Sequence, residues 1–116
     1  MPKSAIGKAK DQLPMSQVEF SVILSPLAKR DFEDIQIYTL EKWGEAQRKK
    51  YAALIYDGLK KLSISPEFGH RRPDISPEHR VYRIGSHFAV YRIVGCEVRV
   101  SRLLHERMDF RRHIEP

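Results

Sequence analysis

The sequence predicts an α+β domain of order β-α-α-β-β-β, an antiparallel sheet with an N-terminal helical hairpin packed on one face. Three observations predict it. Residues 18–24, VEFSVIL, alternate in the period-two pattern of a strand. Residues 27–63 carry apolar side chains at helical spacing, interrupted at Gly44. Residues 79–104 fall into three short apolar segments, separated by Gly85-Ser86 and Gly95-Cys96, and two-residue turns of this kind join antiparallel strands.

Each element follows from its residues. Residues 1–17 hold Lys3, Gly7, Lys8, Lys10 and two prolines without a period, and are expected to be a flexible leader to a single domain over 18–116. Val18, Phe20, Val22 and Leu24 give the first strand one apolar face. Ser25 is placed to cap the next helix, and Pro26 at its first position gives up no hydrogen bond. Ala28, Phe32, Ile35 and Thr39 form the inward stripe of that helix, with Lys29, Arg30, Glu33, Asp34 and Lys42 on its other sides. A second helix runs from Glu45 to Ser63 with Tyr51, Ile55, Gly58 and Leu62 inward. Gly58 costs about 1 kcal/mol in helix propensity and permits close approach of a neighbour. Residues 64–78, with three prolines and a glycine, read as a long loop, followed by strands over 79–84, 87–94 and 97–104. Phe20, Val22, Phe32, Ile35, Ile55, Leu62, Ile84, Val90, Ile93 and Val100 are the expected core.

A chain of 116 residues has room for one core. No apolar run reaches the length of a membrane span, and the N-terminus lacks the apolar segment of a secretory signal. The single Cys96 provides neither a disulfide nor zinc spacing, and in a turn it has nothing to activate it. These features predict a cytoplasmic protein. The net charge of +6 is unevenly made. Residues 1–69 hold nine Lys and two Arg, whereas residues 70–116 hold ten Arg, no Lys and all five His. Arginine's planar fork suits carboxylates and phosphates, so the second half suits either nucleic acid or an acidic protein segment.

LSPLAKRDFEDIQIYT, KWG, RRPDISPEHRVYRIGSHFAVYRI and RLLHERMDFRRH together resemble the ParE toxins of the RelE/ParE toxin–antitoxin superfamily, over residues 18–114. The resemblance implies the fold read above and a protein that poisons DNA gyrase, trapping it with cleaved DNA. It also implies a ParD-like antitoxin that neutralises the toxin by direct binding in a hetero-oligomer, so that DNA is met only through gyrase or antitoxin. The tail residues expected to bind the target are Arg102, His105, Arg107, Met108, Asp109, Arg112 and His113, of which His105, Arg107, Met108 and Asp109 are carried over from the family motif. For the antitoxin, the expected anchors are Leu27, Ile37, Tyr38, Leu40 and Trp43, among which Ile37 and Leu40 fall off the inward stripe. Arg83, Arg92 and Arg99 are the expected acid-pairing sites on the sheet.

The alternative is a RelE-like messenger RNA interferase, which needs a base, an acid and cations around one phosphate. Arg83, His87, Tyr91, His105 and Arg107 would supply them. Two features weigh against it. Lysine is absent from this region, and Glu106, Asp109 and Glu115 stand among the tail arginines. The scattered glycines form no phosphate loop. His70 and His79 flank a loop without a second ligand set. Neither metal nor cofactor is therefore expected, and catalysis is not.

Overall fold

The computed structural model describes residues 19–114. Strand β1 (Ser21–Leu24) leads into helix α1 (Pro26–Trp43), and Gly44 separates it from α2 (Glu45–Ile64). A 3-10 turn, Pro66–Phe68, precedes β2 (His70–Arg71), β3 (Arg80–Ile84), β4 (His87–Val94), β5 (Glu97–His105) and a short helix, α3 (Phe110–His113). The five strands lie in the order β1-β5-β4-β3-β2. No helix among the described residues is long and apolar enough to cross a membrane. The expected leader and residue 18 lie outside the described residues.

The α+β class and element order agree with the sequence, and three details differ. The sheet is mixed, because β1 runs parallel to β5, from Ser21 opposite Glu97 to Leu24 opposite Val100. Alternation is the same in parallel and antiparallel strands, and direction is set here by the helical hairpin that carries the chain back. The expected loop contains β2, which pairs Arg71 with Arg80 and is too short to show a period. The tail forms α3, capped by Asp109, whose carboxylate accepts from the Arg111 N–H at 3.3 Å.

Two cores lie on opposite faces of the sheet. Against the helices pack Ala28, Ile35, Ile55, Leu59, Leu62, Ile84, Ala89, Tyr91, Val98, Val100 and Leu103, with Phe20, Val22, Phe32 and Ile93 partly buried around them. Gly58 is where α2 meets the sheet, since an added Cβ would stand 2.6 Å from Ile84 Cδ1. On the reverse face Val81, Val90 and Leu104 are covered by Phe110 and Ile114 of the tail. Val90 therefore belongs to a second core that the sequence reading merged with the first.

The two cores depend on a bulge in β5. Tyr91 pairs with Val100 but Val90 pairs with Arg102, so Ser101 is an extra residue. The bulge shifts the alternation, turning Leu103 and His105 toward the helices and Leu104 away. Helix α1 holds it in place. Ser25 Oγ accepts from the Ala28 N–H at 3.0 Å and donates to the Ser101 carbonyl at 2.7 Å. Past Leu24, β1 no longer covers β5, and the Leu103 N–H donates instead to Asp31 Oδ2 at 2.9 Å. The same carboxylate accepts from Arg102 Nε and Nη2 at 2.7 and 2.9 Å. Arg102 Nη1 then donates to the His113 carbonyl at 3.1 Å, fastening the tail.

This geometry predicts that Asp31→Ala lowers stability by about 2–3 kcal/mol, as expected for losing charge-assisted bonds in a mostly buried site. Urea unfolding should also show that Asp31→Ala and Arg102→Ala combine with a shortfall from additivity. Additive effects would mean that the pair does not act as a unit.

Candidate functional site

A groove of about 780 Å3 opens where the helical hairpin meets the β3–β4 turn and the end of β5. Helix α1 contributes Asp34, Ile35, Tyr38, Thr39 and Trp43, and α2 contributes Gln47 and Tyr51. Ser86, His87, His105, Arg107 and Met108 form the other wall. Tyr38 and Trp43 project as an aromatic shelf, 60% and 64% exposed, with the Lys42 ammonium 6.0 Å from each ring centroid. Thr39 brings no free donor, since its hydroxyl donates to the Ile35 carbonyl at 2.7 Å.

The polar end is built around Tyr51. Its hydroxyl accepts from the Ser86 N–H at 2.9 Å, leaving its own proton for His87 Nδ1 at 2.7 Å. In the Nε2–H tautomer of His87 this contact has Tyr51 donating to Nδ1. Burial first, and then the neighbouring His105, push His87 down to about 4, so it is neutral at physiological pH. His105 faces it across the β4–β5 ladder, edge to face with centroids 5.2 Å apart. Its Nδ1 accepts from the Arg107 N–H at 3.2 Å.

The residues named for an RNA-cutting site do not converge. His87, His105 and Arg107 share the groove. Arg83 lies on the reverse face, bound to Glu106 at 2.6 Å and set over the Phe88 ring at 5.4 Å. Tyr91 is fully buried, its hydroxyl donating to the Pro66 carbonyl at 2.6 Å and accepting from the Gly69 N–H at 2.9 Å. Burial raises its pKa, and its role is to hold the loop after α2. No group of three or more His, Cys, Asp or Glu among the described residues could hold a metal ion.

The tail residues also divide. His105, Arg107 and Met108 line the groove. Arg102 is engaged by Asp31, and Asp109 caps α3 and lies 3.7 Å from Arg112. Arg112 and His113 are exposed on α3. Of the helical anchors, Tyr38 and Trp43 line the groove, while Leu27, Ile37 and Leu40 are exposed outside it. Arg92 and Arg99 pair with Glu78 at 3.7 Å and Glu97 at 2.8 Å. The sequence reading missed Tyr51 as a site residue, because its place on the inward stripe of α2 looks the same as a core position. It also missed Asp34, Ile35, Thr39, Gln47 and Ser86, which become neighbours only when the hairpin docks.

The model of the ParE toxin of the type II toxin–antitoxin system parDE matches residues 22–110. The chain belongs to this family. Toxin ParE1 of Mycobacterium tuberculosis is 32% identical over 93 residues, spanning 79% of this toxin and 95% of that one. Among solved structures, a chain of the chromosomal ParDE system of P. aeruginosa superposes with a TM-score of 0.66 at 21% identity, covering 75% of this toxin and 96% of that chain. A chain of the toxin–antitoxin complex RelBE2 of M. tuberculosis gives 0.54 at 22% identity, covering 76% and 99%. At such identities the two structures speak for the shared fold alone, which ParDE and RelBE proteins have in common.

The depressed His87 makes stability depend on pH in a predictable sense. The unfolded chain takes up the proton near pH 6.5, and the folded chain only near 4, so stability falls as pH drops from about 6.5 toward 4. His79, pushed down by its burial, adds in the same direction. The lowered carboxyls of Asp74, Glu45 and Glu106 matter only at lower pH. Urea midpoints should therefore decline between pH 6.5 and 5, and less steeply in His87→Gln. An identical decline in that variant would remove His87 as the cause.

Proposed function

We propose that this toxin acts in the cytoplasm by poisoning DNA gyrase, trapping the enzyme with cleaved DNA, and that a ParD-like antitoxin neutralises it by filling the groove. The carrying observation is the make-up of that groove. It joins tail residues read as target-binding, His105, Arg107 and Met108, to helix residues read as antitoxin anchors, Tyr38 and Trp43. A segment seated against the aromatic shelf covers the tail residues, so neutralisation is competition for one surface. Arg112 and His113 extend the target surface along α3, with Arg102 and Asp109 as its supports. The exposed Leu27, Ile37 and Leu40 extend the antitoxin contact over α1, and Arg83, Arg92 and Arg99 offer exchangeable surface ion pairs to its acids. DNA enters the assembly through gyrase or antitoxin.

The absence of catalysis in this reading is supported by the scattering of the five polar groups. Tyr91 is committed to the interior and Arg83 to the far face. His87 has its Nδ1 engaged by Tyr51. His105 and Arg107, left together in the groove, favour the interferase reading to that extent.

Purified toxin mixed with gyrase, plasmid DNA and ATP should inhibit supercoiling and accumulate linear DNA, and antitoxin should reverse both. Replacing His105, Arg107, Met108 and Asp109 together by alanine should cut trapped DNA at least ten-fold with the circular dichroism spectrum preserved. Full toxicity in that variant would dismiss the tail as the gripping surface. No effect on gyrase together with cuts in ribosome-bound message would establish the interferase instead.

A further inference from the structure

His87 and His105 each have Nδ1 engaged by a neighbour. His105 accepts the Arg107 backbone N–H at Nδ1, which leaves its own N–H at Nε2, and the Tyr51 hydroxyl beside His87 Nδ1 is placed to hold that ring in the same form. Neither Nε2 has a protein partner among the described residues, yet no buried side-chain nitrogen or oxygen there lacks one. Both N–H groups are therefore open to solvent, which reaches these rings through the groove. Arg107 borders them and stands outside every ion pair of the described residues. The result is two ring N–H donors and one cation at the same end of a groove whose other end is aromatic.

We propose that this end is a carboxylate-recognition point. The Nε2–H groups of His87 and His105 and the Arg107 guanidinium hold one acidic side chain of the bound protein, while Tyr38, Trp43 and Met108 take a bulky apolar residue beside it. The proposal rests on the groove being the antitoxin's seat, and it names the chemistry that seat reads. A metal ion does not suit it, because a ligating imidazole presents a bare nitrogen and donates from the other one. A nucleic acid strand suits it poorly, since successive phosphates need a row of cations. The groove offers Arg107 with Asp34 in the facing wall, and much of the lining is apolar. A single acid on an otherwise apolar segment fits.

Long-range proton–nitrogen NMR of the full toxin should find both rings in the Nε2–H form. An Nδ1–H ring at either position would overturn the proposal. N-acetyltryptophan, an indole with a carboxylate, should bind at least about ten-fold more tightly than N-acetyltryptophanamide and shift both imidazole signals. Arg107→Gln should abolish that preference without weakening the amide. Equal affinities, no binding of either probe at its solubility limit, or stronger binding of a tetra-adenylate would each overturn it, the last in favour of nucleic acid. Co-expressed antitoxin that binds wild type and Arg107→Gln equally would refute the carboxylate point and leave the antitoxin's seat standing. Antitoxin that fails to bind wild type would remove the seat, and the acid–amide comparison would still decide the chemistry.

Discussion

The Asp31 carboxylate holds together what the rest of the molecule depends on. It takes the Leu103 N–H that β1 is too short to reach and the two Arg102 donors beside it. An unpaired amide at a sheet edge is costly when buried, and a bulge normally leaves one. Supplying the acceptor from the first turns of α1 fixes the bulge, the helix and the tail in a single cluster. Because Arg102 also reaches the His113 carbonyl, the tail is positioned by the same charge.

The bulge decides the content of the groove. In strict alternation from Val98 and Val100, position 105 would fall on the reverse face with Arg99. One extra residue at Ser101 brings His105 opposite His87 and sends Leu104 into the second core. A site and a core are thus made by one irregularity. Tyr51 completes the arrangement from the helical side, tying α2 to the β3–β4 turn through Ser86 and to β4 through His87 Nδ1. The groove therefore has strands and helices behind both of its walls, the kind of support on which accurate recognition of a partner would depend.

Much of this was legible in the sequence, for reasons that differ by element. The two helices and three long strands follow from periodicity and from Gly44, Gly85 and Gly95 as punctuation. The parallel pairing of β1 was not legible, since alternation carries no direction. Nor was the bulge, because the polar pair Ser101-Arg102 and the apolar pair Leu103-Leu104 in VRVSRLLH break the alternation without saying whether a bulge or a strand end lies there. Of the polar residues singled out, His105, Arg107 and Met108 do gather with Tyr38 and Trp43. Tyr91 was misleading, as a tyrosine on a strand gives no sign of whether its hydroxyl meets solvent or a buried carbonyl. Tyr51 was hidden for the converse reason.

The parallel pairing of the first described strand with the last also has a temporal meaning. β1 is made well before β5, its one sheet neighbour among the described residues. Sequence-distant pairing of this kind is slow to form and cannot begin until both partners exist. A chain made only as far as the β3–β4 turn already contains the helical hairpin residues and the aromatic shelf, but not His105, Arg107 or the bulge that orients them. The groove is therefore complete only once β5 has been made and has found its place beside β1.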